Sequence, residues 1–422
     1  LRQISIWHGV QSKDGYILLA VALYVQKFGG TSVADPERIG EVVDHVRRTV
    51  ARGDQVVMVV SAMGKETDEL LRLANEVSTV RPGREMDMLI TAGERKAVAL
   101  VAMALHGAGV PADSFTGSQA GIITDTTHQD ARIVEVMADR IKQSLAQGSV
   151  PVVAGSQGMS TDKEVTFLGR GGSDTTAVAL AHRLEADACE LYTDVSGVFT
   201  TDPRLVTNAR KMKHLSFDEL LEMTACGCPK PAMRSVEYAH RHGVALHIRS
   251  AFTWEQGTWV NEEPSMERAI VTAVVHDMSE AKVTISHVPD EPGIAARLFR
   301  TLADEDVNVD MIVQNVSTEG VTDISFTVPM AHLDNAVQAA KALGLGQVTS
   351  DDNIGKVSLV GAGMKSNPGV AAQMFETLAQ AGINIQMLST SGIRISSIVD
   401  ASRAEDAVGL LHAAFALDQP VA

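Results

Sequence analysis

Leu23 to Asp35 reads LYVQKFGGTSVAD, an apolar run set directly against a lysine, two glycines and two hydroxyls. Alternation through Leu23–Phe28 predicts a β-strand, and the glycines mark a sharp turn at its carboxyl end. Without side chains, the backbone amides of Gly29 and Gly30 approach a ligand closely, and Lys27 adds a point charge at the same corner. Phosphate is the natural guest for such a corner. The plain alternative is a tight strand-to-helix turn with a solvated lysine, and this stretch alone does not separate the two. It is not a Walker loop, because no G-x-x-x-x-G-K-[ST] occurs in the chain.

Working outward, strand-like runs alternate with helical patterns from Val21 to about Ser250. DQVVMVVSAMG, VPVVAGSQG, ACELYTDVSGV and GVALHIRS are β-branched and closed by glycine or serine, while PERIGEVVDHVRRTVARG carries proline at its start and glycine past its end. Strands alternating with helices predict a mostly parallel sheet flanked by helices, with ligands beyond the carboxyl ends of the strands. At 422 residues, two or three domains are expected. A net charge of −16 with only 4% aromatics argues against a nucleic-acid partner, which would be repelled and would find no stacking platform. Cys189, Cys226 and Cys228 read as reduced thiols rather than a disulfide framework, which points to a cytoplasmic setting. The apolar stretch Tyr16–Val25 is too short to span a bilayer, so no membrane role is expected. Residues 1–20 read as a poorly ordered extension.

The C-terminal third holds an internal repeat. PGIAARLFRTLADEDVNVDMI (Pro292–Ile312) aligns without gaps to PGVAAQMFETLAQAGINIQML (Pro368–Leu388). Each copy follows a strand, opens an amphipathic helix at Pro-Gly and ends in an alternating run expected to be a second strand. The repeat is either plain duplication of a stable unit or a pair of small-molecule pockets at helix N-termini.

Further motifs add chemistry. LGRGGSDTTAVAL (Leu168–Leu180) sets Arg170, a fork for a carboxylate, beside Ser173 and Asp174 at a helix start, where Asp174 suits either a ligand ammonium or the orientation of Lys27; Ser-Asp-Thr is equally a good N-cap. LITAGERKAV reads as a Thr-Ala-Gly turn with Glu94 in the first turn of the next helix. YTDVSGVFTTDPR offers Asp194 at a strand end, then Asp202 and Arg204 in a loop, suited to nucleotide or Mg²⁺ contacts or to an ordinary Asp-Pro turn. No H-E-x-x-H, G-x-S-x-G or strand-following G-x-G-x-x-G occurs. Two phosphate-friendly turns, a carboxylate-binding arginine and no evident base fit phosphoryl transfer to a carboxylate, which is already deprotonated at neutral pH.

KFGGTS, SAMG, TAGER, SFTGSQAG, GRGGSD, YTDVSGVFTTDPR and MRSVEYA, in that order, make the chain resemble the aspartokinases, of the amino-acid kinase fold, from Val21 to its C-terminus. The resemblance implies an α/β catalytic domain over 21–262, a linker and donated strand over 263–281, and two ferredoxin-like βαββαβ ACT domains over 282–350 and 351–422. It implies ATP and Mg²⁺ as cofactors and L-aspartate as phosphoryl acceptor, giving 4-phospho-L-aspartate for lysine, threonine, methionine and isoleucine synthesis. Lys27 and Asp174 would be catalytic. Ser61, Glu94, Arg170 and Ser173 would bind aspartate. Lys27, Phe28, Gly29, Gly30, Thr193, Asp194, Asp202, Arg204 and Lys230 would line the ATP site. Lysine or threonine would act as effectors at Gly293, Ile294, Asn308, Val309, Asp310, Met311 and Gln314, and at Ile383, Asn384 and Ile385 of the second repeat. The strand AIVTAVVH (Ala269–His276) would complete one ACT domain. The assembly would be a homodimer through the ACT domains, or an α₂β₂ complex with a regulatory subunit started internally near Met266. In the same light, Val21–Leu23 stands where relatives begin.

Two positions depart from the family pattern. ACGCPKPAMRS puts Pro229 where relatives carry the ATP-reaching lysine and moves Lys230 one residue along. Flanking prolines disfavour a helix there, so Lys230 either serves from a loop or nucleotide affinity is lowered. Gly392 stands where relatives often carry glutamate, which bears on effector choice. The competing expectations are a catalytically weak amino-acid-binding regulatory protein, or a kinase of a related amino acid in a specialised pathway.

Overall fold

The computed structural model describes residues 10–11, 17–18, 21–262, 270–315, 320–364 and 367–419. Most of the N-terminal extension, as well as Met266 and Ala269, lie outside these residues. The described chain forms two units. The first holds residues up to Val198, Lys213–Phe217 and Lys230–Glu262; the second holds Phe199–Met212, Asp218–Pro229 and residues 263–422.

The first unit is built on strands β1 (Leu23–Phe28), β2 (Gln55–Val60), β3 (Ala112–Phe115), β4 (Ile122–Thr124), β5 (Ile133–Val136), β6 (Val150–Ala154), β7 (Gln157–Ser160), β8 (Val165–Phe167), β9 (Ala188–Thr193), β10 (His214–Leu215), β11 (Leu246–Ser250) and β12 (Thr258–Val260). Its main sheet runs β10-β12-β11-β9-β1-β2-β6-β3, parallel from β11 through to β3. A smaller sheet, β8-β7-β4-β5, stands beside it. Helices α1 (Pro36–Ala51), α2 (Glu66–Val77), α3 (Gly83–Gly107), α4 (Asp139–Ala146) and α5 (Gly172–Leu184) connect the strands.

Local chemistry sets these elements. Asp35 caps α1 by accepting from the Arg38 amide at 2.9 Å, and Pro36 sits in the first turn. Ile39, Val42, Val43 and Val46 form the buried stripe of α1 against Phe28, Met58 and Val60. Alternation along β1 sends Gln26 and Phe28 toward α1 and Lys27 toward α5. Register then decides where a site can form. Phe28 pairs with Tyr192 and with Val60, and Val60 pairs with Ala154. Four strands therefore end level, and the turns after them open side by side.

The second unit contains α6 (Phe217–Ala225) except for Phe217 itself, and two repeats. Helix α7 (Met233–His242) belongs to the first unit. In the first repeat, β14 (Glu280–Pro289), α8 (Ile294–Asp304), β15 (Ile312–Gln314), β16 (Val321–Pro329), α9 (Leu333–Ala342) and β17 (Gln347–Asp351) follow βαββαβ order in an antiparallel sheet β15-β16-β14-β17. The second repeat supplies β18 (Ile354–Val360), α10 (Val370–Gln380), β19 (Met387–Thr390), β20 (Arg394–Asp400) and α11 (Ala401–Ala414). Its fourth strand is β13 (Ala273–Asp277), antiparallel to β18 at the position β17 holds in the first sheet. Ala273–His276 of the AIVTAVVH stretch lie in this strand, which runs on to Asp277. Gly293 and Gly369 precede α8 and α10 at φ of 96° and 110°, a conformation that favours glycine. The second strand of each repeat starts later than expected, at Ile312 and Met387, because Val307 and Ile383 are spent filling the two cores.

Candidate active site

The four level strand ends bring together most of the residues singled out around the phosphate-friendly turns. Lys27 Nζ lies 2.6 Å from Asp174 Oδ1, with both side chains largely shielded from solvent. Asp174 stands in the first turn of α5, and its second oxygen accepts from the Ala232 amide at 3.1 Å. The carboxylate thus fixes the ammonium at the corner where the Gly29 and Gly30 backbone turns. Gly30 has a second reason to be glycine: a Cβ there would stand 2.7 Å from the Ala62 carbonyl oxygen.

Ser61, just past β2, donates to Ser173 Oγ at 2.9 Å, and Ser156 Oγ is 2.8 Å from the same oxygen. The three hydroxyls form one cluster at the start of α5. Ser156 was not among the expected residues. Its backbone is left-handed (φ 58°), just after β6, and its amide donates to Thr176 Oγ1 of α5 at 3.2 Å. Its signal in the sequence is a serine between glycines at the end of an apolar strand, AGSQG, a pattern that by itself marks only a strand ending. Arg170 is exposed in the turn preceding α5, three residues from Ser173.

Glu94 does not follow a turn. It lies midway along the 25-residue helix α3 and is 3% exposed. Gly93 is not a breaker: a Cβ there would meet Ala62 Cβ at 3.0 Å and Glu66 Cγ at 3.3 Å, so glycine lets α3 pass close to the turn after β2. Burial first, then the Glu66 charge, push the Glu94 carboxyl up to about 7, against a hydrogen bond from the Ala62 amide and the charge of Arg95. Glu94 Oε2 is buried without a hydrogen-bond partner. An unsatisfied buried carboxylate oxygen beside a carboxylate-binding corner suits an incoming ammonium group.

Other expected positions need correction. The Phe28 side chain is fully buried and stacks on Tyr192 with centroids 4.5 Å apart, so only its backbone is open to a nucleotide. Asp202 and Arg204 belong to the second unit and pair with each other at 2.6 Å; the Arg204 hydrogen bond outweighs partial burial and holds the Asp202 carboxyl below its usual range. The Asp-Pro turn is therefore real, with Asp202 also accepting from the Arg204 amide at 2.9 Å. Thr193 ends β9 and Asp194 follows it, with Asp194 Oδ1 2.9 Å from Lys230 Nζ. Lys230 stands outside any helix, since α7 begins at Met233.

Among the effector candidates, Gly293 and Ile294 start α8, while Asn308, Gln314 and Asn384 are exposed and Val309 and Ile385 half-buried. Met311 and Ile383 are 2% and 5% exposed and belong to cores, so neither side chain is available to a ligand in this arrangement. Asp310 is paired with Lys356 at 2.7 Å. Cys189, Cys226 and Cys228 are not joined in a disulfide. Among the described residues no helix is long and apolar enough to cross a membrane.

Residues 22–250 match the amino acid kinase family, and 283–342 and 357–415 match the ACT domain. An aspartokinase of Mycolicibacterium smegmatis is 54% identical over 407 residues, covering 94% of this chain and 97% of the relative. That of Corynebacterium glutamicum is 49% identical with the same coverage. In structure, E. coli aspartokinase III in complex with aspartate and ADP has a TM-score of 0.80 at 23% identity, covering 93% of this chain and 99% of that one.

Proposed function

The chain belongs to the aspartokinases, within the amino acid kinase family, and from that premise we propose how its residues serve the reaction. It is an ATP-dependent aspartate kinase that phosphorylates the β-carboxylate of L-aspartate and is feedback-regulated through its ACT repeats. The observation that carries the assignment of roles is the single corner shared by the Lys27–Asp174 pair and the Ser61–Ser173–Ser156 cluster.

Glu94 takes the substrate ammonium and Arg170 its α-carboxylate, while Ser61 and Ser173 orient the β-carboxylate toward the phosphate. The acceptor is ionised at neutral pH, so no side chain must remove a proton from it. Lys27, held by Asp174, together with the Gly29 and Gly30 amides, stabilises the charge on the transferring phosphoryl group. Lys230 and Asp194 meet the nucleotide from the loop side. Among the described residues no group of three or more His, Cys, Asp or Glu could hold a metal. Asp194, just after β9, would be the carboxylate to hold Mg²⁺ when nucleotide is bound. When bound, Mg²⁺ supplies charge neutralisation on the phosphates.

Lysine or threonine as effectors, association through the ACT repeats as a homodimer or α₂β₂ complex, and a cytoplasmic setting belong to the same proposal. E. coli aspartokinase III, 24% identical, has been solved with lysine and aspartate.

Hydroxylamine trapping tests the reading. A hydroxamate should form only when ATP, Mg²⁺ and L-aspartate are all present, with glutamate a poor substitute. Lys27→Ala should cut turnover by about a hundred- to a thousandfold, the scale of a lost transition-state contact, while calorimetry still records aspartate binding. Full turnover in that variant would remove Lys27 from the mechanism.

A further inference from the structure

Lys356 stands in β18 of the second repeat with its side chain fully buried. Its ammonium lies 2.5 Å from Glu280 Oε1 on β14 and 2.7 Å from Asp310 Oδ2 on the segment before β15. It also reaches the Ala225 carbonyl, the last residue of α6, at 3.5 Å. A buried lysine would ordinarily be expected to lose its proton. Here burial does disfavour the charge, but Glu280 and Asp310 outweigh it and raise the lysine above its ordinary range. In this triad Lys356 faces two carboxylates; Arg394 also acts on Asp310 but is paired with Glu222, so three acids face two cations and a surplus negative charge remains, and Glu280 Oε2 is buried without a hydrogen-bond partner. The Asp310 side chain is one-third exposed and is the member of the triad that solvent can reach.

The same end of α6 is tied to the second repeat a second time. Arg394 on β20 contacts Glu222 at 3.2 Å and Cys226 Sγ at 3.7 Å, and Ser391 donates to Glu222 at 3.2 Å. The helix closes with Gly227 at φ 110°, where a Cβ would stand 2.1 Å from the His276 carbonyl oxygen of β13, and the Cys228 amide bonds to Met223 O at 2.9 Å. That cap leaves little slack. Two residues after Cys228 the chain reaches Lys230, the cation on Asp194.

We propose that Lys356 is the coupling residue between effector binding and the Lys230 loop: an amino-acid effector's ammonium competes with Lys356 for Asp310, and the released lysine loosens its hold on the end of α6. The exposed face of Asp310 admits a cationic group, and the surplus negative charge favours one. Once Asp310 is taken, Lys356 has Glu280 as its remaining charged partner, and the unpartnered Glu280 Oε2 offers it a place to go. Displacement at Ala225 is then passed along five residues of chain to Lys230, without any need for the effector to approach the kinase unit.

This rests on the regulated-kinase reading, and the experiment separates the two. Hydroxamate formation by the full chain is titrated with lysine and threonine, singly and together, in wild type and Lys356→Met, with calorimetry for effector binding. If wild type is not inhibited by either, the regulatory reading fails before the coupling is tested. With wild type inhibited, Lys356→Met, which has no ammonium to hold the Ala225 carbonyl, should turn over without effector at about the rate of the inhibited wild type, and it should bind effector at least as tightly, because Asp310 has lost its internal competitor. Its inhibition should be weakened at least about fivefold, the low end of ordinary allosteric coupling. Inhibition unchanged from wild type overturns the proposal. Loss of binding together with inhibition also overturns it, since Lys356 would then merely hold the pocket in shape. Should Lys356→Met fail to fold, Glu280→Gln decides: it leaves Lys356 to Asp310 alone, so half-inhibition should require about fivefold more effector, and an unchanged midpoint refutes the competition.

Discussion

At Glu94 a single carboxyl carries both a stability term and a binding term, and they run in opposite directions. Its pKa is raised from 4.5 to about 7 by burial. A carboxyl raised on folding binds more protons in the native state, so its contribution is full below pH 4.5 and is lost as pH rises through about 7. The substrate ammonium needs the ionised form. Aspartate binding should therefore release a proton near neutrality, and the KM for aspartate should climb about tenfold per pH unit below 7. Steady-state kinetics from pH 5.5 to 8.5, with about equal ionic strength throughout, checks this. Glu94→Gln should raise KM at pH 8 and flatten the slope; a slope that persists in the variant assigns it to another group. Ordinary residue-level reading of the sequence found Glu94 but not its environment. Thr-Ala-Gly looks like a turn, whereas Gly93 is there so that α3 can run within contact distance of Ala62 and Glu66. Long-range packing of that kind leaves no local mark. Lys27 and Asp174 were legible for the opposite reason: each is a charge set at the rim of an apolar element, one at a strand end and one in a helix's first turn.

Between elements, the site depends on how closely α5 starts against the turn after β6. A Cβ on Gly155 would sit 2.8 Å from both Cβ and Oγ of Ser173 and 3.1 Å from its Cα. Ser173 cannot yield without moving the α5 backbone, and Asp174 moves with it. Gly155→Ala is expected to cost about 1–3 kcal/mol of stability by overpacking. It should also raise the aspartate KM by about tenfold, the equivalent of ~1.4 kcal/mol, because the Ser61–Ser173 contact of 2.9 Å is what the shift opens. A thermal melt and aspartate titration of the variant measure the two effects separately; an unchanged KM with a lowered melting temperature would make the serine cluster a packing feature. Elements themselves were largely readable, since β-branched runs and proline–glycine punctuation mark β1, β2, β6, β9 and α1. Their level ends were not readable, because register is a property of pairs of strands and no single run encodes it. The same holds for the repeats. Val307 and Ile383 alternate with polar neighbours as strand residues do, yet they close the helix-packed cores before the strands begin.

For the molecule as a whole, the sequence suggests a clean join near residue 262, with a kinase part before it and a regulatory part after. The kinase family match does run from 22 to 250, but contacts in the folded chain cross that join. Segments 199–212 and 218–229 belong to the second unit although they precede the join. Thr200 pairs with His412 of α11 at 2.9 Å, and its carbonyl accepts from Val274 of β13 at 2.8 Å. Val206 packs on the second repeat's core, Glu219 accepts from Thr272 at 2.6 Å, and Glu222 is held by Arg394 and Ser391. A chain ended at Glu262 therefore strands two internal segments that lose these partners beyond the cut. Hydrogen bonds and ion pairs of this sort are worth about 1–3 kcal/mol each when a buried partner is removed, and losing several approaches the ~5–15 kcal/mol that holds a domain folded. Truncation should therefore abolish hydroxamate formation rather than merely free it from inhibition. The truncated chain should also show fast amide exchange through 199–212 and 218–229 while the central strands of the main sheet stay protected. A truncated chain that turns over at the full-length rate with those two segments protected would mean the kinase part holds them unaided, and the interleaving of the chain would have no energetic consequence.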